Sequence, residues 1–250
     1  MDIWTETVTV KAFEADVNRR WKPACFFQAM QQAATEHAAS WGYDYDSLLA
    51  AGRVWILSRL KIRFDDLPAE GEAVTIRTWP KGIRRRVFFA RDFEFRGANG
   101  RRLAAATSAW LLMDPVARRL LSPQALEHAV PDNDGLAALA EPLDKLVVPD
   151  DLPERLVVHA GYSAVDMLGH VNNARYVEWA CDSLPFALFR NGRLRWLQVN
   201  YQAEVRPGER VSVRAAGRDG AWCICGVNLD SGRRAFEAEA TFQVRGESPA

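Results

Sequence analysis

The segment Asp166-Met167-Leu168-Gly169-His170-Val171-Asn172-Asn173 holds a carboxylate, an imidazole and two amides within eight positions, the residue types that chemistry at a carbonyl needs. Drawn out as an extended loop, it projects Asp166, Leu168 and His170 to one side, because side chains alternate with a period of two. The apolar spacing that follows predicts a helix directly behind the loop, with Asn172 or Asn173 as its N-cap. A helix start presents unpaired backbone N–H groups and the positive end of a dipole. That suits an oxyanion as well as it suits a structural cap. Other reactive-site signatures are missing: there is no Gly-x-Ser-x-Gly elbow, no Gly-x-x-x-x-Gly-Lys loop, no Gly-x-Gly-x-x-Gly turn and no His-Glu-x-x-His pair. Cys223 and Cys225 share one face of a predicted strand, but no second Cys or His pair stands at metal-ligand spacing. They read as core, as does Cys181. His37 reads as a packed helix residue, and His128 and His159 carry no pattern.

Composition narrows the classes further. Among 250 residues, 32 Lys and Arg balance 32 Asp and Glu, and 48% are hydrophobic, so the chain is neither disordered nor collagen-like. It has no basic excess with which to neutralise nucleic-acid phosphates, and no apolar run approaches the ~20 residues of a membrane span. The start, Met1-Asp2-Ile3-Trp4, lacks a basic stretch followed by an apolar one, and four cysteines make no disulfide framework. A cytoplasmic protein is expected.

The elements that must hold the Asp166 loop come as a repeat. Leu60-Lys-Ile-Arg-Phe64 through Glu70-Gly71-Glu72-Ala-Val74-Thr-Ile76 returns as Leu197-Gln-Val-Asn-Tyr201 through Pro207-Gly208-Glu209-Arg-Val211-Ser-Val213, at an offset of 137. Asn99-Gly100-Arg101-Arg102 returns as Ser231-Gly232-Arg233-Arg234 at 132, and Asp16 precedes a helical pattern as Asp166 does, at 150. The order is kept and the offsets shrink, as changes in loop length would produce.

Each copy reads as a strand (6–12; 154–160), a loop, a helix, and then alternating segments separated by Gly-containing turns. Phe27, Met30, Ala34, His37, Ala38 and Trp41 recur at helical steps in the first copy, and Tyr176, Val177, Ala180, Cys181, Leu184 and Leu188 in the second. Strands are predicted over 54–64, 73–79, 87–95 and 103–113, with partners over 196–201, 210–215, 222–229 and 235–244. One helix and about five strands per copy do not fit a doubly wound α/β fold, which alternates the two. The expectation is α+β, each copy an antiparallel sheet curled around one long central helix, in units 1–121 and 151–246. The linker 122–150 contains Pro123, Pro131, Pro142 and Pro149 and the acidic Asp132-Asn133-Asp134-Gly135, and 136–139 has the composition of a short helix.

The stretch Asp166-x-Leu168-x-His170-Val171-Asn172-Asn173-x-x-Tyr176-x-x-Trp179 resembles the active-site segment of plant and bacterial acyl-ACP thioesterases, Asp-x-Asn-x-His-Val-Asn-Asn-x-x-Tyr-x-x-Trp. Tyr201-Gln-Ala-Glu204 resembles that family's second signature, a catalytic Glu three residues after an aromatic. Glu36-His37-Ala38, Trp55-Ile-Leu-Ser58-Arg59, Thr78-Trp79-Pro80-Lys81-Gly82, Arg91-Asp92-Phe93 and Thr107-Ser108-x-Trp110 are similar too, so the resemblance runs over nearly the whole chain. It implies a double hotdog fold, in agreement with the repeat, and a catalytic set of Asp166, His170 and Glu204 with no metal and no cofactor. Two positions depart from the pattern. The family's Asn is Leu168, which has no hydrogen-bonding side chain. The position after the Glu, a Cys in some plant members, is Val205, which excludes a Cys–His mechanism there.

The implied reaction is hydrolysis of a fatty acyl thioester on acyl carrier protein by an activated water. Glu204 is the favoured base; His170 polarises the carbonyl or protonates the departing thiolate; Asp166 orients His170 or takes the base role itself. Asn172, Asn173 and Trp55 are the expected substrate-binding residues, with the acyl chain in the first unit. By the same offsets His170 corresponds to Arg20 and Glu204 to Leu67, so the chemistry falls to the second unit. The basic run Lys81-Gly82-Ile83-Arg84-Arg85-Arg86 at a strand turn is either a solvated tip or a docking patch for the acidic carrier, through Lys81, Arg84, Arg85 and Arg86. Three neighbouring readings compete: an acyl-CoA thioesterase of the same fold, a hotdog dehydratase, and an acyl-binding protein with a decayed site, which Leu168 keeps open. The Val-Asn-Asn-x-x-Tyr continuation and Glu204 disfavour the dehydratase. Either a monomer or a homodimer fits a double unit.

Overall fold

In the computed structural model, which describes residues 1–133 and 135–244, the two sequence copies fold in the same element order. The first copy runs β1 (Trp4–Thr9), α1 (Pro23–Ala39), a short α2 (Tyr45–Ala50), β2 (Val54–Phe64), β3 (Ala73–Arg84), β4 (Phe88–Gly97), β5 (Arg102–Asp114) and a two-residue β6 (Arg119–Leu120). The second runs β7 (Glu154–His159), α3 (Asn173–Asp182), α4 (Phe186–Asn191), β8 (Gly192–Tyr201), β9 (Arg210–Arg218), β10 (Ala221–Asn228) and β11 (Arg234–Val244). Strand order is β1-β3-β4-β5-β2 in the first copy and β7-β9-β10-β11-β8 in the second, the same order when strands are matched. The pairings β1–β3, β3–β4 and β4–β5, and likewise β7–β9, β9–β10, β10–β11 and β11–β8, are antiparallel. The architecture is the expected α+β. Two compact units divide the chain, one of Met1–Trp21, Gln28–Leu60 and Asp65–Leu143, the other of Lys22–Phe27, Lys61–Phe64 and Asp144–Ala250. Positions 134, 245 and 246, part of the expected linker and second unit, lie outside the described residues.

Backbone hydrogen bonds repeat as closely as the strand order. Trp21 N–H donates to the Pro68 carbonyl at 2.9 Å, and Val171 N–H to the Val205 carbonyl at 2.9 Å. Val10 N–H meets the Glu72 carbonyl at 3.1 Å, and Ala160 N–H the Glu209 carbonyl at 2.9 Å. These pairs fix the 150 and 137 offsets in three dimensions.

The second helix is shorter than its apolar spacing suggests. It stops at Asp182, and Leu188 belongs to the separate α4. Pro185 is the cause: it lacks an N–H and pushes the preceding Leu184 out of the helical region. The buried face of α3 is accordingly Ala174, Tyr176, Val177, Trp179 and Ala180. The short helix expected at 136–139 is also absent, because that backbone is used elsewhere. The Leu136 carbonyl accepts from Trp79 Nε1 at 3.0 Å, Ala138 N–H donates to Asp92 Oδ2 at 2.7 Å, and Leu139 is buried. The segment covers the first unit's sheet, which lets β5 bury Leu103 through Ser108 without interruption.

Candidate active site

The Asp166 loop is a tight turn rather than an extended strand. Asp166 N–H donates to the His170 carbonyl and Gly169 N–H to the Asp166 carbonyl, each at 3.0 Å. Gly169 sits at φ +76°, where a side chain would be strained. The Asp166 carboxylate therefore turns back on its own loop: Oδ1 accepts from Leu168 N–H at 2.9 Å and Oδ2 from Asn172 Nδ2 at 3.2 Å. The other end of the Asn172 amide, Oδ1, accepts from Ala174 N–H at 2.9 Å, which makes Asn172 the N-cap of α3. Leu168 contributes only its backbone to the carboxylate, and its side chain is exposed.

His170 Nδ1 lies 3.9 Å from Asp166 Oδ1, an ion-pair separation too long for a hydrogen bond, and 3.5 Å from the Val171 carbonyl. Glu204 follows the end of β8, and the Val171-to-Val205 backbone bond lays Glu204–Val205 beside His170–Val171. Arg206 holds the Glu204 carboxylate through Nη2 at 3.1 Å and Nε at 3.3 Å. The side chains of Asp166, His170 and Glu204 are 18%, 25% and 30% exposed, so each reaches solvent from a half-sheltered position.

Tyr176 of α3 lies beneath these groups. Its Oη accepts from Val205 N–H at 3.1 Å, and its ring meets those of Trp179, Tyr201 and Phe236 edge-on at 5.3, 5.7 and 5.4 Å. Burial pushes the phenol above its ordinary range, the Val205 N–H opposes this, and the charges of Glu204 and Asp166 add to it. Tyr201 Oη donates to the Asn173 carbonyl at 3.1 Å, tying the end of β8 to the first residue of α3. A carboxylate, an imidazole and a helix start on neighbouring backbone are groups that can activate a water and stabilise an oxyanion.

Trp55 stands on β2 in the first unit, half-buried, its ring edge-on to Phe89 at 4.8 Å in an apolar cluster with Tyr43, Leu48 and Leu112. Lys81, expected in the basic patch, is withdrawn from it: Nζ sits 3.1 Å from Asp92 Oδ2. Arg84, Arg85 and Arg86 are exposed at the β3–β4 turn. Cys223 and Cys225 are buried, and so is His37, which bonds Asp2 Oδ1 through Nε2 at 3.0 Å and Arg91 Nη1 through Nδ1 at 3.1 Å. Sequence reasoning missed the hydroxyls of Tyr176 and Tyr201 and the guanidinium of Arg206. The repeat held the signal for the phenols, since Phe26 and Phe64 occupy the matching positions without a polar tip. Among the described residues no helix is long and apolar enough to cross a membrane, and no group of three His, Cys, Asp or Glu is placed to hold a metal ion.

The family model described as the acyl-ACP thioesterase N-terminal domain matches residues 2–125, and that for the acyl-ACP thioesterase C-terminal domain matches 149–244. A chloroplastic palmitoyl-acyl carrier protein thioesterase of Arabidopsis thaliana is 24% identical over 81% of this chain and 52% of its own length. The chloroplastic oleoyl-acyl carrier protein thioesterase 1 of the same plant is 25% identical over 83% and 62%. The chain therefore spans about half to three-fifths of the length of these relatives. Among solved structures, the 12:0-ACP thioesterase from Umbellularia californica superposes with a TM-score of 0.83 at 20% identity, covering 98% of both chains. An acyl-ACP thioesterase from Bacteroides thetaiotaomicron gives 0.79 at 23% identity, covering 97% of this chain and 98% of that one. The shared fold is the double hotdog.

Proposed function

The chain belongs to the acyl-ACP thioesterase family, and from that premise we propose that it hydrolyses fatty acyl thioesters of acyl carrier protein to a free fatty acid and the carrier thiol. One observation carries this reading: Asp166 and His170 stand 3.9 Å apart just before α3 with the Glu204–Val205 backbone bonded beside them, while the matching loop of the first copy has the same backbone but Arg20 and Leu67 in place of the His and Glu. Glu204 removes a proton from water as the oxygen attacks the thioester carbonyl, and His170 protonates the departing thiolate. Ala174 N–H and Arg175 N–H are taken by the side chain and carbonyl of Asn172, at 2.9 Å each, so the oxyanion falls to the Asn173 N–H. Asp166, locked to its own loop, shapes the site.

In this reading unit 151–246 performs the chemistry, unit 1–121 holds the acyl chain with Trp55 in its lining, and 122–150 joins them. The carrier meets Arg84, Arg85 and Arg86, without Lys81. A cytoplasmic setting is part of the proposal, and four free thiols fit a reducing compartment.

The test is hydrolysis of matched acyl-ACP and acyl-CoA panels by the purified chain, with Glu204→Gln as control. Release of fatty acid from acyl-ACP in preference to acyl-CoA, lost in the variant, is expected. Turnover of acyl-CoA alone would replace the carrier, and binding without turnover on either carrier would overturn the enzyme reading.

A further inference from the structure

The two copies build the same aromatic pair under their loops. Phe26 of α1 and Phe64 of β2 meet edge-on at 5.2 Å and 80°; Tyr176 of α3 and Tyr201 of β8 meet at 5.7 Å and 83°. The rings do the same packing in both places, and hydroxyls appear only in the second. Each hydroxyl there has a backbone partner: Tyr176 Oη accepts from Val205 N–H at 3.1 Å, and Tyr201 Oη donates to the Asn173 carbonyl at 3.1 Å.

The partners differ between copies too. At the 137 offset Val205 corresponds to Pro68, which has no N–H to donate, although its carbonyl keeps the repeat's bond to Trp21. The first copy therefore lacks acceptor and donor together, in the same place where it carries Leu67 instead of Glu204. A bond needed only to fold the sheet and helix would be needed in both copies. This one accompanies the carboxylate.

We infer that Tyr176 and Tyr201 are positioning residues for the reaction: the Tyr176 hydroxyl fixes the Glu204–Val205 peptide against α3, and the Tyr201 hydroxyl fixes the α3 start against β8. Neither phenol exchanges a proton with substrate. The peptide N–H that Tyr176 accepts from is the bond immediately after Glu204, so loosening it moves the base relative to His170, and a displacement of about 1 Å at a reacting group is enough to cost much of a rate. The inference rests on the proposed role of Glu204.

The experiment is a double-mutant cycle of Tyr176→Phe with Glu204→Gln, read by kcat and KM on acyl-ACP, together with amide exchange at Val205 by NMR. Tyr176→Phe keeps the ring, as Phe26 does, and its fold is checked by near-UV circular dichroism. A fall of about tenfold in kcat with KM changed less than about twofold is expected, shrinking to less than about twofold in the Glu204→Gln background. Val205 N–H exchanges faster in the variant. Tyr201→Phe, a second variant with its own bond, lowers kcat in the same sense. Wild-type kcat in Tyr176→Phe, the same fold-loss in the Glu204→Gln background, or unchanged Val205 exchange would each overturn the inference. If the unmodified chain turns over no acyl thioester, the proposed function fails, and the exchange measurement still decides whether the hydroxyl holds the Glu204–Val205 peptide.

Discussion

The loops at Asp16 and Asp166 are one structure with two sets of side chains. In the first copy Asp16 Oδ1 accepts from Asn18 N–H at 2.8 Å and Arg20 N–H at 2.9 Å; in the second Asp166 Oδ1 accepts from Leu168 N–H at 2.9 Å. Asp16 N–H meets the Arg20 carbonyl at 2.8 Å, as Asp166 N–H meets that of His170 at 3.0 Å. Arg19, at φ +59°, occupies the left-handed position that Gly169 holds in the second loop. The aspartate is thus common to the loop that has the reactive groups and the loop that lacks them, and its work in both is to close the turn. What differs is His170 against Arg20, whose Nη1 is bound to the Leu67 carbonyl at 2.8 Å, and Glu204 against Leu67 itself. The difference favours the proposal in which Glu204 is the base and Asp166 shapes the loop. Asn18 also places an amide-bearing side chain at the loop position where the second copy has Leu168.

The largest expected effect breaks that comparison directly. Glu204→Gln lowers kcat on acyl-ACP by about 10²- to 10⁴-fold, the usual weight of a general base, while Leu67→Gln at the matching position leaves kcat within about twofold. Steady-state rates on both variants, with folding checked by circular dichroism, decide it. Equal losses would mean that the copies share the reaction and that the asymmetry is superficial.

A second difference is the charge buried in the first unit. Asp92 is fully buried and its partner Lys81 half-buried, at 0% and 18% exposure, and burial raises the Asp92 carboxyl despite the opposing charge of Lys81. Register places Cys223 at the corresponding point of β10, since Phe93 pairs with Thr78 and Ala106 as Ile224 does with Ala215 and Ala238. Lys81→Met strands the Asp92 carboxylate and costs about 3 kcal/mol in urea unfolding. A loss below ~1 kcal/mol would show that the segment over the sheet, with Ala138 N–H at 2.7 Å, satisfies Asp92 without the lysine.

The matched aspartates supply a smaller test. Asp16→Ala and Asp166→Ala each remove the acceptor that closes a turn, at a cost of about 1 kcal/mol apiece. Similar thermal shifts for the two would support a shared structural task. An Asp166→Ala variant with an intact melting curve and abolished turnover would return the base role to Asp166.

These contrasts were unevenly legible in the sequence. The repeat and the α+β class follow from alternation, Gly-containing turns and three weak matches kept in order, whereas the strand order is set by long-range pairing that these patterns do not carry. The reactive residue types of the second loop were visible as well, but their geometry was not. Alternation treats the loop as extended, whereas the Asp166 carboxylate and Gly169 fold it into a turn. Apolar spacing carried the second helix through to Leu188, although Pro185 ends it earlier. Tyr176 and Tyr201 read as ring packing because periodicity does not register a hydroxyl. Lys81 looked solvent-facing because Asp92 is brought to it only by the cross-strand register, which shifts between Pro80 and Ile83.

The smallest expected effect is a pH dependence confined to the first unit. His37 on α1 is buried with Asp2 from the N-terminal segment, Arg91 from β4 and Trp41 around it. Burial lowers its pKa below 6.5, Asp2 raises it again in part, and the nearby Arg91 charge lowers it. The folded state therefore resists the proton that the unfolded chain takes up near pH 6.5. Below that pH the unfolded state binds more protons, and stability falls as pH falls until the folded-state pKa is passed, after which the loss is constant. Above about pH 7.5 His37 is neutral in both states and contributes no slope. His37→Gln removes this slope and leaves the acid response of the carboxylates in place. Urea unfolding at pH 8, 7, 6 and 5 should show the stability of wild type falling relative to the variant only in the two lower steps. A difference that stayed constant from pH 8 to 5 would mean that Asp2 accepts a charged imidazole without cost, and that the Asp2–His37 contact is an ion pair in the folded protein.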